Sequence, residues 1–314
     1  MIIPEEDIAE VCIKKGVNVV TSWFYRSMQF KQVILSGLSI ILLALVIKKY
    51  QHKLIFHYNI RVLFLSLFSA CIFHCSVIFL FESYQLLLSF TYISPCDVIL
   101  SRPFYVIFHI SFMFAILWIE NTQVNEDDYL QLAAPFMEMI PIYWGEDFKA
   151  PQINAFFIPV SKLSVLHGML AAFSIISAVS LPVLTITYIY SKRKSRRVQG
   201  LTERFENSQN ASSSLLIIIL SGFYFIIFFI YSTSILYLRL TFDPSKDSEA
   251  TFKSKIIAGY TVPFYTLLLP LIALFSLWKM KQKRLSTIKS MVQAKSVGAE
   301  GWDNYANQLK WNDR

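Results

Sequence analysis

The sequence predicts an all-α membrane protein: a bundle of seven transmembrane helices with the N-terminus outside and a short or distorted fourth helix. Three observations lead there. The 314 residues are 55% hydrophobic and 16% aromatic but only 16% charged, whereas a soluble domain carries about 25% charged residues. The apolar residues gather into runs of membrane-spanning length. The basic residues gather between those runs, most densely in Ser191–Ser214, which holds Lys192, Arg193, Lys194, Arg196, Arg197 and Arg204. A polar loop of this kind stays in the cytoplasm, because Lys and Arg resist translocation. It fixes the sidedness of every other connector.

The acidic start, MIIPEEDIAE, lacks the basic n-region of a cleavable signal, so the first span is expected to act as its own insertion signal. Residues 1–29 are read as an extracellular tail, and the charges of residues 1–32 balance, Glu5, Glu6, Asp7 and Glu10 against Lys14, Lys15, Arg26 and Lys31. The first span is read as Val33–Ile47, extended to about Phe30, and ends in Lys48, Lys49 and Lys53 on the cytoplasmic side. That is short against the roughly 20 residues a bilayer requires. The second span runs from Tyr58 to Phe81, followed by an outer loop from Ser83 to Val98. The third, Ile99–Ile119, has Arg102-Pro103 at the outer interface and returns the chain inside after Glu120. The fifth apolar run, Leu163–Tyr190, carries Pro182 as a kink. The sixth is Leu215–Leu238, whose unbroken length marks a helix despite its β-branched and aromatic content. The seventh, Ile256–Trp278, holds Pro263 and Pro270.

Sidedness then demands an odd number of crossings between Glu120 and Leu163. The candidate is Tyr129–Trp144, short, carrying Glu138 and interrupted by Pro135 and Pro141. Hydropathy alone would reject it; charge parity requires it. The transmembrane domain is thus read as residues 30–278 and the cytoplasmic tail as 279–314. In that tail Leu285, Ile288, Met291 and Val292 share one face of a basic amphipathic helix, read as lying on the inner leaflet.

Cys71, His74 and Cys75 fall within one helical turn, but a zinc site needs three or four converging ligands. No facing Cys/His pair exists, His109 being the nearest idea, and the reading is helix packing with no metal. His109, in mid-span, faces the interior, either as a neutral interhelical hydrogen-bonding group or as a ligand contact. Glu138 must be protonated, paired, in a wet cavity or on a distorted helix. Cys96 lies outside, where a bridge to Cys12 and a free thiol are both open. Asn210-Ala211-Ser212 is a glycosylation acceptor on the cytoplasmic side and is expected to be unused. The net charge of +8 sits beside spans and in the tail, as topology and anionic lipid require, and no basic folded domain is left for nucleic acid. No phosphate loop, nucleophile elbow or zinc-protease motif appears, so neither an enzyme nor a cofactor is expected.

Several local patterns resemble one family in the right order. Phe56-His57-Tyr58-Asn59 resembles the F-H-x-N signature of nematode serpentine chemoreceptors of the Sra superfamily, and Pro95-Cys96-Asp97 resembles that group's outer loop before helix three. Leu201–Asn207 resembles its L-x-x-R-Y/F-x-x-x-E-N stretch with shortened spacing. Pro263-Phe264-Tyr265 with Leu269-Pro270 resembles the helix-seven P-x-Y-x-x-x-x-P pattern. Gly298–Tyr305 and Trp311 look most like the class alpha and beta members. The family's helix three ends in an acidic residue followed by Arg; here Asn121 follows Glu120.

The resemblance implies a GPCR-like chemosensory receptor in the plasma membrane of sensory neurons, binding a small chemical ligand and signalling to a heterotrimeric G protein. Phe104, Tyr105, Phe108, His109 and Tyr260 are the expected ligand-binding residues. Glu120, Arg193, Lys194, Arg196, Arg197 and Arg204 are the expected G-protein-facing residues. Pro182, Pro263 and Pro270 are expected flex points. The alternatives are a membrane channel or transporter, or a diverged non-signalling receptor paralogue.

Overall fold

The computed structural model describes residues 12–50, 58–124, 128–148, 152–157, 162–197, 201–242 and 248–295, and among them no strand occurs. Eight long or medium helices follow in order: α1 Trp23–Tyr50, α2 Tyr58–Thr91, α3 Arg102–Val124, α4 Asp128–Tyr143, α5 Leu163–Arg197, α6 Leu201–Leu240, α7 Glu249–Gly259 and α8 Val262–Lys295. The chain divides into two compact units, Met1–Pro270 and Leu271–Arg314. Among the described residues, five stretches are long and apolar enough to cross a membrane: Trp23–Lys49, Arg61–Thr91, Pro95–Thr122, Ser214–Leu240 and Ala250–Lys279.

In α1 the usual amphipathicity is inverted. Gln29, Gln32, Ser36 and Ser39, spaced by three or four residues, are fully buried, while Phe30, Ile34, Leu38, Ile41 and Leu45 are exposed. In water such a face would aggregate; against lipid it is the expected outer surface. The helix begins ten residues before Val33, so the first span is not short. α2, packed on α1, also outruns its expected end at Phe81 by ten residues. Glu82, Gln85 and Ser89 are buried on the face turned to the polar side of α1. The expected outer loop is therefore only Tyr92–Ser101, with a 3₁₀ turn at Pro95–Val98 whose Asp97 carboxylate accepts from the Ser94 and Ile93 amides.

That loop carries a disulfide. Cys12 and Cys96 are joined (S–S 2.07 Å, Cα–Cα 5.0 Å), which pins the short helical stretch before α1 onto it. At Gly16 an added Cβ would come within 2.8 Å of Val98 Cγ2, so the close approach needs glycine there. Val19, Val20, Tyr25, Val98, Ile153 and Ile257 form the buried cluster beneath.

α4 runs antiparallel to α3: Glu138 meets Asn121, Phe136 stacks on Phe114, and Tyr143 reaches His109. Its 16 residues span about 24 Å, less than the ~30 Å hydrocarbon layer, yet they return the chain to the disulfide end. There the Leu100 amide donates to the Gln152 carbonyl (2.9 Å), and Lys162, at the start of α5, donates to the Trp144 carbonyl (2.6 Å).

Two further expectations change. The described part of Ser191–Ser214 is helix: α5 continues through Arg197 and α6 starts at Leu201. Lys, Arg, Glu and Gln are good helix formers, so polarity there marks where the helices leave the membrane, not where they end. The seventh span is not one helix either. α7 stops at Gly259, Tyr260 is extended, and α8 restarts at Val262. Pro263 thus sits in the first turn of α8, where its missing N–H is harmless, not at a mid-helix flex point. At the break the Gln32 amide donates to Tyr260 O (3.1 Å) and to Ile257 O (3.3 Å), which also accepts from the Tyr260 amide; irregular backbone inside a membrane bundle persists only when so satisfied. α8 continues through Lys295 with no interruption at Trp278, so the periodic tail stretch is the end of that helix.

Candidate functional site

The middle of the first unit is a core of aromatic rings with a small cavity. The cavity, roughly 30 Å³, is lined by Phe112, Met113 and Ile116 of α3, Phe228 and Tyr231 of α6, Ile256 and Ile257 of α7, and by Phe156, Tyr260 and Val262. It is about the size of one water molecule. Tyr260, at the helix break, is its most connected residue. Its hydroxyl lies 2.5 Å from His74 Nε2, and its ring meets Phe156 at 5.0 Å, Phe112 at 5.4 Å and Tyr231 at 5.5 Å.

Phe156 carries this cluster towards the disulfide end, with its ring 4.7 Å from Phe112 and 6.2 Å from Phe81. Beyond it Phe81, Tyr84, Phe104 and Phe108 stack together, Phe104 meeting Phe108 at 4.6 Å and Tyr84 at 4.8 Å. Residues 152–157 therefore dip into the bundle instead of crossing above it. Their backbone is held by the interior: Tyr105 donates its hydroxyl to Phe157 O (2.7 Å), and His109 Nδ1 is 2.6 Å from Ala155 O.

His109 is fully buried. A ring nitrogen facing a carbonyl must carry the proton, so Nδ1 donates to Ala155 and Nε2 accepts from the Tyr143 hydroxyl at 2.7 Å. Tyr105 stacks on the same ring at 5.1 Å. Both nitrogens are thus committed to protein, the interhelical arrangement the sequence allowed, now joining α3, α4 and the following loop. Of the five residues expected to bind ligand, Tyr260 lines the cavity. Phe104, Tyr105, Phe108 and His109 lie in the layer between it and the disulfide end.

Cys71 and Cys75 are free and buried. Cys75 donates its thiol to Thr266 Oγ1 (3.1 Å), and His74 turns to Tyr260 and not to His109. Among the described residues no group of three or more His, Cys, Asp or Glu side chains is arranged to hold a metal.

At the other end, Glu120 is only 1% exposed, enclosed beside Tyr224 and Glu138. It does not present itself to a partner, because α6 and α4 cover the end of α3. Its neighbour Asn121 donates to Glu138 Oε2 (3.0 Å) and to Leu117 O (2.9 Å). The Asn121 amide thereby supplies the polar partner Glu138 needs. Arg193 is exposed on α5. Lys194, Arg196 and Arg197 lie on the same helix and Arg204 on α6, with side chains outside the described set, as are Phe56, His57, Gly298–Tyr305 and Trp311.

Sequence reasoning missed a buried polar group at the disulfide end. Asn154 donates to Glu82 Oε1 (3.0 Å) and to the Tyr25 hydroxyl (3.1 Å), and accepts from the Phe156 amide (2.8 Å). A lone glutamate at the end of an apolar run was the available signal, but it reads as an interfacial residue when the span is ended at Phe81.

Comparison with known proteins gives the lineage. Residues 130–310, more than half of the chain, match the family described as "Serpentine type 7TM GPCR chemoreceptor Sra". The chain belongs to that family. It is 28% identical to serpentine receptor class beta-17 of Caenorhabditis elegans over 83% of this chain and 79% of that protein. It is 26% identical to class beta-16 over 97% of this chain and 96% of that protein, and 24% identical to class beta-3 over 90% and 89%. The chain is thus a multi-pass helical membrane protein of a chemoreceptor family.

Proposed function

We propose that the chain is a G-protein-coupled chemosensory receptor that crosses the plasma membrane seven times, with the disulfide end outside. A disulfide belongs in an oxidising compartment, and the clustered Lys and Arg at the opposite end belong in the cytosol; the two signals agree. The observation that carries the ligand reading is the aromatic cavity between α3, α6, α7 and α8 at the break in the seventh crossing. Ligand sites between helices are apolar with a few placed polar groups, and here the Tyr260 hydroxyl, with His74 behind it, is the placed group.

A cavity of roughly 30 Å³ is far below the ~300 Å³ of an occupied small-molecule site. The ligand must therefore displace side chains, and Phe156 is the mobile candidate because it comes from a loop and not from a helix. That displacement would shift α7 against α6, both of which line the cavity, and so reach the basic helical extensions Lys192–Arg197 and Arg204 that face the G protein. Sensory neurons are the expected site of expression.

The test is a chemical screen in cells expressing the receptor with a promiscuous G-protein reporter, followed by Tyr260→Phe and Phe156→Leu. An agonist whose potency falls at least tenfold in either variant, at unchanged surface expression, supports the reading. Agonists whose potency is the same in both variants contradict it.

A further inference from the structure

We propose that Glu82, with Tyr25, Gln29, Gln85 and Asn154, forms a buried site for one monovalent cation, either a sodium ion or the ammonium group of a ligand. All five side chains are at most 2% exposed. Tyr25 and Gln29 stand one turn apart on α1, and Glu82 and Gln85 one turn apart on α2, so each pair shares a face. The two faces pack together, with Gln29 beside the carboxyl. Asn154 closes the group from the 152–157 segment.

The hydrogen-bond inventory is incomplete in a specific way. Asn154 serves Glu82 Oε1 and the Tyr25 hydroxyl. By strict hydrogen-bond geometry Glu82 Oε2, both amide atoms of Gln29 and both of Gln85 have no protein partner, although Gln29 stands close enough to the Glu82 carboxyl to act on it as a hydrogen-bond donor. Each buried polar atom left without a partner calls for an explanation, an unseen ion among them, and here several gather in one group. A carboxylate in a lipid-embedded bundle calls for a counter-charge. The Arg26 guanidinium, nearest along the chain to Tyr25, does not supply it: its nitrogens donate to the Ser89 hydroxyl and carbonyl and it lies over the Phe90 ring.

The donors on offer are oxygens: two of a carboxylate, two of amides and one of a phenol. That set suits a hard cation or an ammonium. With a single carboxylate the charge balances for a monovalent ion, whereas a divalent one would leave a net positive charge in the membrane interior.

The experiment uses the full-length receptor in nanodiscs of neutral lipid. Its melting temperature is read in sodium chloride against N-methyl-D-glucamine chloride at equal ionic strength. Butylammonium chloride and butanol are then compared in sodium-free buffer. A cation at ten times its dissociation constant should raise Tm by roughly 3 °C, and Glu82→Gln should abolish the rise. A response to sodium assigns the ion. A response to butylammonium, absent with butanol and competitive with sodium, assigns a ligand ammonium. No response to either cation, or equal responses in wild type and Glu82→Gln, overturns the proposal and leaves Glu82 a neutral hydrogen-bonding carboxyl. Should Glu82→Gln not fold, calorimetric titration of wild type with sodium decides alone, since no saturable heat overturns it. The sodium arm stands apart from the receptor reading, so a failed G-protein screen would leave it intact; the ammonium arm rests on that reading.

Discussion

Replacing Asn154 by leucine, an apolar side chain of similar size, tests the way the outer segment is seated. The substitution removes the donors to Glu82 Oε1 and Tyr25 and the acceptor for the Phe156 amide. Each buried partner left unsatisfied costs about 1–3 kcal/mol, and one of the three is half-buried. The expected loss is therefore on the order of 3–5 kcal/mol, a fall in Tm of roughly 10 °C in nanodiscs. A double-mutant cycle with Glu82→Leu, which removes the acceptor, should show a coupling of about 1–2 kcal/mol, because both changes break the same contact. A Tm within 2 °C of wild type, or strictly additive effects, would refute the claim that this segment is anchored through Glu82.

Other expectations follow from single contacts. Cys12→Ser should destabilise by up to about 4.5 kcal/mol, from the chain entropy of a loop closed over 84 residues, read as a Tm loss that reducing agent reproduces in wild type and does not add to in the variant. Tyr260→Phe should lower stability by roughly 1–3 kcal/mol, since His74 loses its hydroxyl partner at full burial; thermal unfolding checks it. Asn121→Leu should cost about as much through Glu138, and adding Glu138→Gln should recover part of the loss in the same assay.

The spans were legible because hydropathy and basic connectors act over tens of residues. Their ends were not. Glu82, Gln85 and Ser89 looked like the edge of a loop, yet all three are buried, Glu82 beside Gln29 and Tyr25 and Ser89 accepting from Arg26; polar residues in a membrane helix face protein, and only the partner helix reveals that. Lys192 to Arg204 looked like a loop for the same reason, although those residue types favour helix once outside the lipid. Charge parity pointed to the weak fourth helix as a crossing; the structure has a helix there, set antiparallel to α3 by its contacts from Asn121–Glu138 up to His109–Tyr143, but too short to count among the five membrane-length stretches. The break at Tyr260 was marked in the sequence by Pro263 alone, which read as a mid-helix flex point, since the break itself is held by Gln32, 228 residues away from Tyr260. Four of the five aromatic-layer residues named from sequence do cluster, but Phe156, which joins them to the cavity, lies in a loop that composition gave no reason to bring inside.

A discontinuous helix at mid-depth also occurs in transporters, where freed carbonyls coordinate ions. Here Gln32 donates to two carbonyls at the break, which leaves them less open to an ion.

The central claim is that α4, though only 16 residues long, carries the chain across so that α5 starts outside. Cysteine accessibility reads this directly, with little background, because Cys12 and Cys96 are bridged and Cys71 and Cys75 are buried. Asp147→Cys and Lys192→Cys, both at exposed positions, are treated with a membrane-impermeant maleimide on intact cells. The account predicts labelling at position 147 at once and at position 192 only after permeabilisation. Labelling of both, or of neither, before permeabilisation would place the two ends of α5 on one side and contradict it.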